Sequence, residues 1–180
     1  MSRPLKIMLV AAEASGDALG AGLARALRAR LGKDVAFVGV GGPRMTEEGV
    51  ESPFDIADLS VLGWLEGLKA YGVVKRRVAD TAALARAEHP DAVVLIDSWG
   101  FTIRVAKAIR AALPDTPLIK YVGPQVWASR PGRAKTLAAA GLAGVGGVAG
   151  QLILIDQPAI VEAADRLGLF VWGETPGDRT

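Results

Sequence analysis

The chain has no cysteine and one histidine, His89, among its 180 residues. Without thiols, disulfides, thiolate catalysis and cysteine-based zinc or iron–sulfur sites are excluded. One histidine excludes a His-rich metal centre and leaves a Ser-His-Asp triad with little support. Aromatic residues are scarce at 6%, and neither sign of charge dominates, with 21 basic against 19 acidic residues for a net charge of +2. No global basic field therefore points to nucleic acid. Long apolar runs are also missing. The first, from Leu5 to Ala12, is broken at Glu13, which is too short for a signal peptide or a bilayer span. The chain is accordingly expected to be made and kept in the cytoplasm. At 51% hydrophobic and 22% charged residues, it has material for a sizeable core and is not disordered. The chemistry left to it runs on carboxylates, arginines, hydroxyls and backbone amides.

What is present is an alternation of strand and helix patterns. Leu5–Ala11 reads as a strand buried on both faces. Leu19, Leu23, Ala26, Leu27 and Leu31 then share one helical face, closed by Gly32. Strands are predicted at Val35–Val40, Ala92–Ile96 and Leu118–Val122, and helices at Asp80–Glu88, Thr102–Leu113 and Arg133–Ala140. Such an order implies βαβ units on a parallel sheet covered on both faces, an α/β Rossmann-like architecture. Ligands of these sheets bind beyond the carboxyl ends of the strands. After Ala140 the character changes. The run Gly141 to Gly150 reads as a linker, with a phosphate-binding glycine loop the weaker reading because a helix rather than a strand precedes it. Gln151–Asp156 and Pro158–Leu167 are candidates for one more strand and helix, and Gly173–Thr180 for a frayed end.

Four turns at strand exits carry candidate chemistry. In Glu13-Ala14-Ser15-Gly16-Asp17, Ser15 or Asp17 either caps the first helix or leaves its free amides to an anion. Glu13, at a buried strand exit, needs a partner. Gly41–Arg44 forms the second turn. Asp97 ends an apolar strand, where its carboxylate suits general-base work, helix capping or pairing with an arginine. From Tyr121 to Lys135, a Gly/Pro-stiffened loop presents Trp127, Arg130, Arg133 and Lys135. Separately, Trp64, Leu65, Leu68 and Tyr71 precede Lys75, Arg76 and Arg77. That pattern fits a helix lying in a membrane interface, or simply core.

Taken together, these motifs resemble bacterial lipid-A-disaccharide synthases. The resemblance runs through Ala12–Asp17 with Leu19-Gly20, Phe37–Met45, Leu59–Gly63 with Glu66, Ile96-Asp97, and Tyr121–Arg133, collinear over about residues 5–140. It implies the N-terminal half of a GT-B glycosyltransferase. Such an enzyme moves diacylglucosamine from its UDP derivative to diacylglucosamine 1-phosphate and releases UDP, with no metal or other cofactor. It further implies Asp97 as the catalytic base, with Glu13, Ser15, Gly16, Asp17, Gly42, Arg44, Gly123, Trp127 and Arg130 around the substrates. The inner-leaflet membrane surface would be a partner, and full-length members would form homodimers. Where many members continue the Asp97 position with Pro-Asp-Phe, this chain has Ser98-Trp99-Gly100-Phe101, so a neighbouring carboxylate is missing. The match fades after Ala140, apart from a faint echo at Pro158–Ala164. Residues 1–140 are thus expected to form the acceptor-side domain and 141–180 a divergent or truncated tail, with no counterpart of the family's UDP-binding domain. The competing class is a catalytically silent lipid- or membrane-binding fragment. A free-standing dinucleotide binder is weaker, because the first turn lacks Gly-x-Gly-x-x-Gly.

Overall fold

The computed structural model describes residues 3–60, 67–122, 133–148 and 157–174. Its elements follow in the order β1 (Leu5–Val10), α1 (Ala14–Leu31), β2 (Val35–Val40), α2 (Pro43–Glu47), α3 (Ala57–Ser60), α4 (Gly67–Glu88), β3 (Ala92–Ile96) and α5 (Trp99–Ala112). They continue with β4 (Leu118–Tyr121), α6 (Arg133–Ala139), β5 (Gly144–Val148), α7 (Gln157–Leu167) and β6 (Phe170–Glu174). The strands build one six-stranded sheet in the order β2-β1-β3-β4-β5-β6, with every neighbouring pair parallel.

Strand parity explains the layering. Met8 and Val10 of β1, with Val93 and Leu95 of β3, belong to a core that also holds Ala82 and Ala85 of α4 and Val105 and Ile109 of α5. Ile7 and Leu9, with Val94 and Ile96, point into a second core with Ala21 and Ala24 of α1. Because successive side chains leave a strand on opposite faces, strands buried on both faces must be apolar at nearly every position. That is the run read from the sequence. Helix α1 ends where expected, at Gly32, which takes a left-handed φ of 62° and donates its N–H to the Arg28 carbonyl.

Strand order places the crevice. The chain leaves β1 toward β2 on one side and reaches β3 on the other, so the switch point lies between β1 and β3. The turns after these two strands, at Glu13–Asp17 and at Asp97–Ser98, therefore face one cleft at the carboxyl edge.

Three sequence expectations are corrected. The glycine run read as a linker supplies β5, paired to β4 on one side and β6 on the other. Only Val145 and Val148 in that strand carry side chains, so it shows almost no alternation to read. Gly144 is required there, since a Cβ would come within 2.4 Å of the Phe170 ring. Gly173 and Glu174, expected to fray, pair with Gly147 and Val148 in the same ladder. The strand proposed at Gln151–Asp156 lies outside the described residues.

The third correction concerns Asp17. Neither it nor Ser15 caps α1, whose N-terminal position, Glu13, has no side-chain cap bond. Asp17 is instead 3% exposed and reaches the second turn. Its Oδ1 accepts from the amides of Gly42 at 2.8 Å and Met45 at 3.0 Å, and its Oδ2 from Arg44 at 3.1 Å. One carboxylate thus satisfies the otherwise unpaired amides that open α2. Gly42 makes that approach feasible, because a Cβ there would lie 2.8 Å from Asp17 Oδ2. Replacing Asp17 by Ala would leave three amides without their acceptor. Asp17→Ala is expected to lose about 2–4 kcal/mol of stability, read as a lower midpoint in urea unfolding followed by circular dichroism.

Candidate functional site

The cleft is built from the ends of β1 and β3. Asp97 and Ser98 follow β3 with left-handed φ values of 48° and 34°. Neither is glycine, so each such residue costs about 1–3 kcal/mol, a kind of strain that concentrates at functional sites. The bend turns both side chains toward the first turn. Ser15 Oγ donates to Asp97 Oδ2 at 3.0 Å, and Ser98 Oγ donates to Glu13 Oε1 at 2.9 Å. Two hydroxyl–carboxylate pairs therefore stitch the β1 turn to the β3 turn across the switch point. Asp97 is half-buried. Among the described residues its side chain caps no helix and pairs with no arginine.

The other sequence candidates fall into distinct places. Glu13 and Ser15 are exposed at the cleft, Gly16 is buried beneath it, and a Cβ at Gly16 would sit 3.2 Å from that of Ala11. Glu13 is therefore not the buried carboxylate expected, since it stands in solvent and accepts from Ser98. Asp17 and Gly42 are buried and joined by the bond from the Gly42 amide to the Asp17 carboxylate. Arg44 gives its amide to Asp17 and leaves its side chain exposed. Gly123, Trp127 and Arg130 lie outside the described residues, as do Trp64 and Leu65.

The basic cluster on α4 divides. Tyr71 is 61% exposed, and Lys75 and Arg76 are exposed beside it, whereas Val74 and Val78 pack on the core. Leu68 falls within α4. Arg77 is corrected: it is no headgroup contact. Its side chain is 17% exposed, pairs with Asp58 and, at 3.0 Å, with Asp80, and its guanidinium lies 4.6 Å over the Phe54 ring. Two carboxylates and an aromatic face hold it against the protein. No helix among the described residues is long and apolar enough to cross a membrane, and no group of three His, Asp or Glu among them is arranged to hold a metal.

One residue escaped the sequence reading. Lys120 is 2% exposed in β4. Its Nζ donates to the carbonyl of Asp97 and, at 3.1 Å, to Thr102 Oγ1. Burial lowers its pKa from the ordinary 10.5 to about 7, against the opposing pull of the Asp97 charge. The signal was parity: Leu118 and Lys120 are the buried positions of β4, so a lysine occupies a core register.

These residues lie within a recognisable family segment. The sequence model of the lipid-A-disaccharide synthetase family matches residues 7–141. The chain belongs to that family. Lipid-A-disaccharide synthase from Bradyrhizobium diazoefficiens is 47% identical over 132 residues, 73% of this chain and 34% of that protein. The enzyme of the same name from Ruegeria pomeroyi is 46% identical over 136 residues, 76% of this chain and 33% of its own. The chain thus spans about a third of the length of these curated relatives. Among solved structures, MurG from Acinetobacter baumannii aligns with 98% of this chain and 47% of its own at a TM-score of 0.55 and 13% identity. That likeness is one of fold, the Rossmann-like half of a GT-B protein. The synthetase family match begins within β1 and runs through α6, and β5 and β6 extend the same sheet beyond it.

The depressed lysine makes stability depend on pH. Below about pH 7 both folded and unfolded chains hold the proton, and the cost of burying the ammonium is present in full. Between about 7 and 10.5 the unfolded chain binds more protons than the folded one, so rising pH favours folding. Relative to Lys120→Met, the parent is expected to gain on the order of 2 kcal/mol between about pH 7 and pH 9. Urea unfolding of both proteins across that range measures the gain, and a constant difference would contradict it.

Proposed function

We propose that this chain is the acceptor-side part, residues 1–140, of a lipid-A-disaccharide synthase that transfers diacylglucosamine from its UDP derivative to diacylglucosamine 1-phosphate. The observation that carries the reading is the Asp97–Ser15 pair at the β1/β3 switch point, inside the segment that matches the family. Asp97 is the general base. The acceptor's 6-hydroxyl gives its proton to the carboxylate as its oxygen bonds to the donor's anomeric carbon. The bond from that carbon to the UDP oxygen breaks at the same time, and UDP leaves with the electron pair. Ser15 holds Oδ2, and Oδ1 accepts no hydrogen bond among the described residues, leaving one oxygen for the acceptor. The free amides at the start of α1 and the exposed Arg44 suit a phosphate in the same cleft. Gly123, Trp127 and Arg130 complete the site in this reading.

Joined to the remaining two-thirds of the Bradyrhizobium relative, the chain is expected to release UDP when given both sugars. Asp97→Asn in that fusion should lower turnover by about 10²–10⁴-fold with little change in KM. Near-normal turnover would make Asp97 a structural residue. The 180 residues alone are expected to give no disaccharide, because the described residues form one Rossmann-like sheet and the UDP site is expected on a second.

A second reading, a silent lipid-binding module, draws on the coverage of about a third of each relative and on the exposed face of Tyr71, Lys75 and Arg76. Both readings put the protein at the cytoplasmic surface of the inner membrane, where Trp64, Leu65 and Leu68 would dip into the interface. Lys75→Gln with Arg76→Gln should weaken binding to anionic vesicles by about 2 kcal/mol, roughly thirtyfold, and flotation of the parent should fall with salt. Arg77→Gln should instead lower stability. Equal partitioning of all variants would remove the membrane assignment.

A further inference from the structure

The backbone of Asp97 is clamped from one neighbouring strand. Its N–H donates to the Tyr121 carbonyl at 3.1 Å, and its carbonyl accepts from the ammonium of the residue before, Lys120. Thr102, on the first turns of α5, adds a third anchor, for its hydroxyl lies 3.1 Å from the Asp97 carbonyl and 2.9 Å from that of Ser98. The same hydroxyl receives Lys120 at 3.1 Å. These contacts meet where the chain passes through two successive left-handed residues, a conformation that persists only when its surroundings over-determine it.

We propose that Lys120 is the positioning residue of the Asp97 carboxylate. Its ammonium, seated on the Asp97 carbonyl and the Thr102 hydroxyl, holds the left-handed turn that sets Asp97 against Ser15 and Ser98 against Glu13. The inference rests on the transferase reading only for what the carboxylate then does.

An apolar side chain would fill the core register of β4 as well as the lysine stem does, but it would leave the Asp97 carbonyl with the Thr102 hydroxyl alone, which the Ser98 carbonyl shares. A buried cation satisfies that carbonyl, because a charged donor bonds more strongly in a low-dielectric interior than a neutral one. Among the described residues the other neighbours are uncharged: α5 contributes Thr102, β3 contributes Leu95 and β5 contributes Val145, each of the last two opposite Lys120. Asp97 is the charged group whose field acts on the ammonium. Lys120 itself is 2% exposed, so it acts through the turn and not on a ligand.

The test uses the 180-residue chain, labelled with carbon-13 and nitrogen-15, and follows Lys120 Nζ with the carbonyl and side-chain carboxyl carbons of Asp97 by NMR from about pH 5.5 to 9. Lys120 is expected to titrate near pH 7, and both Asp97 carbons should step at the same midpoint. In Lys120→Met both steps should vanish and the Ser15 and Ser98 resonances should move. The chain has no cysteine, so Lys120→Cys can be alkylated at one place with bromoethylamine. That restores an ammonium on a side chain of lysine's length and should restore the steps. The field of the ammonium alone shifts the nearby Asp97 carboxyl carbon, so the positioning role is read from Ser15 and Ser98. Their resonances should step at the same midpoint in the parent and stay level if the lysine is merely structural. Absence of the carboxyl step in the parent overturns the proposal, as does Lys120→Met with unchanged Ser15, Asp97 and Ser98 resonances. Should Lys120→Met fail to fold, the parent's titration decides alone. A coupled titration together with a fusion in which Asp97→Asn keeps full transfer would uphold the positioning and overturn the base. Uncoupled titration with a transfer-dead Asp97→Asn would do the reverse.

Discussion

The turn at Asp97–Ser98 is the constraint on which the site depends. A parallel strand must end at its carboxyl edge and hand the chain to a helix on one face, and here the handover is made within two residues at φ values of 48° and 34°. A relaxed turn would leave Asp97 and Ser98 pointing along the strand. The tight one brings both side chains back over the neighbouring strand, where Ser15 and Glu13 meet them. Asp97 is held there by the Tyr121 carbonyl, which continues the β3–β4 ladder, and by the Lys120 ammonium and the Thr102 hydroxyl.

A second carboxylate does comparable work one layer down. Asp17 sits inside α1 yet serves the first residues of α2, so the turn after β2 is fixed by the helix after β1. Gly42 makes the contact close, and Met45 fills the space beside Gly20 and Gly41, where a Cβ would lie within 2.5 Å of its sulfur. The consequence is a rigid floor under an exposed rim. Gly16, Asp17 and Gly42 are buried beneath the cleft, while Glu13, Ser15 and Arg44 are exposed at its rim. Family membership is consistent with this division, since the matched segment ends at residue 141, just beyond α6, and includes both floor and rim.

Much of this was legible beforehand. The apolar runs at Leu5–Val10 (broken only by Lys6), Val35–Val40 and Ala92–Ile96 leave almost no polar face to expose, so they announce a parallel sheet covered on both sides. Gly32 and the helical spacing of the leucines place the first helix. With strands known, a rule about strand ends was enough to select Ser15, Asp97 and the Gly41–Arg44 turn. β5 was not legible, because Gly144, Gly146 and Gly147 have no side chains with which to show a period, and their place is defined by partners on either side. Arg77 looked like one more member of a basic cluster. Its neighbour Arg76 is exposed and Arg77 is not, a difference made by Asp58, Asp80 and Phe54.

By itself the sequence determined the fold class, the absence of cysteine, the family and the position of Asp97 at the exit of a strand. Those follow from local composition, from alternation and from motifs that are contiguous in the chain. The tertiary structure alone decided what each polar group does: that Asp17 serves the second turn, that Asp97 meets Ser15, that Arg77 is withdrawn and that Lys120 is a buried lysine on the Asp97 carbonyl. Each of these is a pairing between residues 19 to 82 positions apart or, for Arg77 and Asp80, between adjoining helical turns chosen over solvent. Hydrogen bonds and desolvation depend on distance in space, and only the sheet, by fixing which strand ends lie side by side, sets those distances.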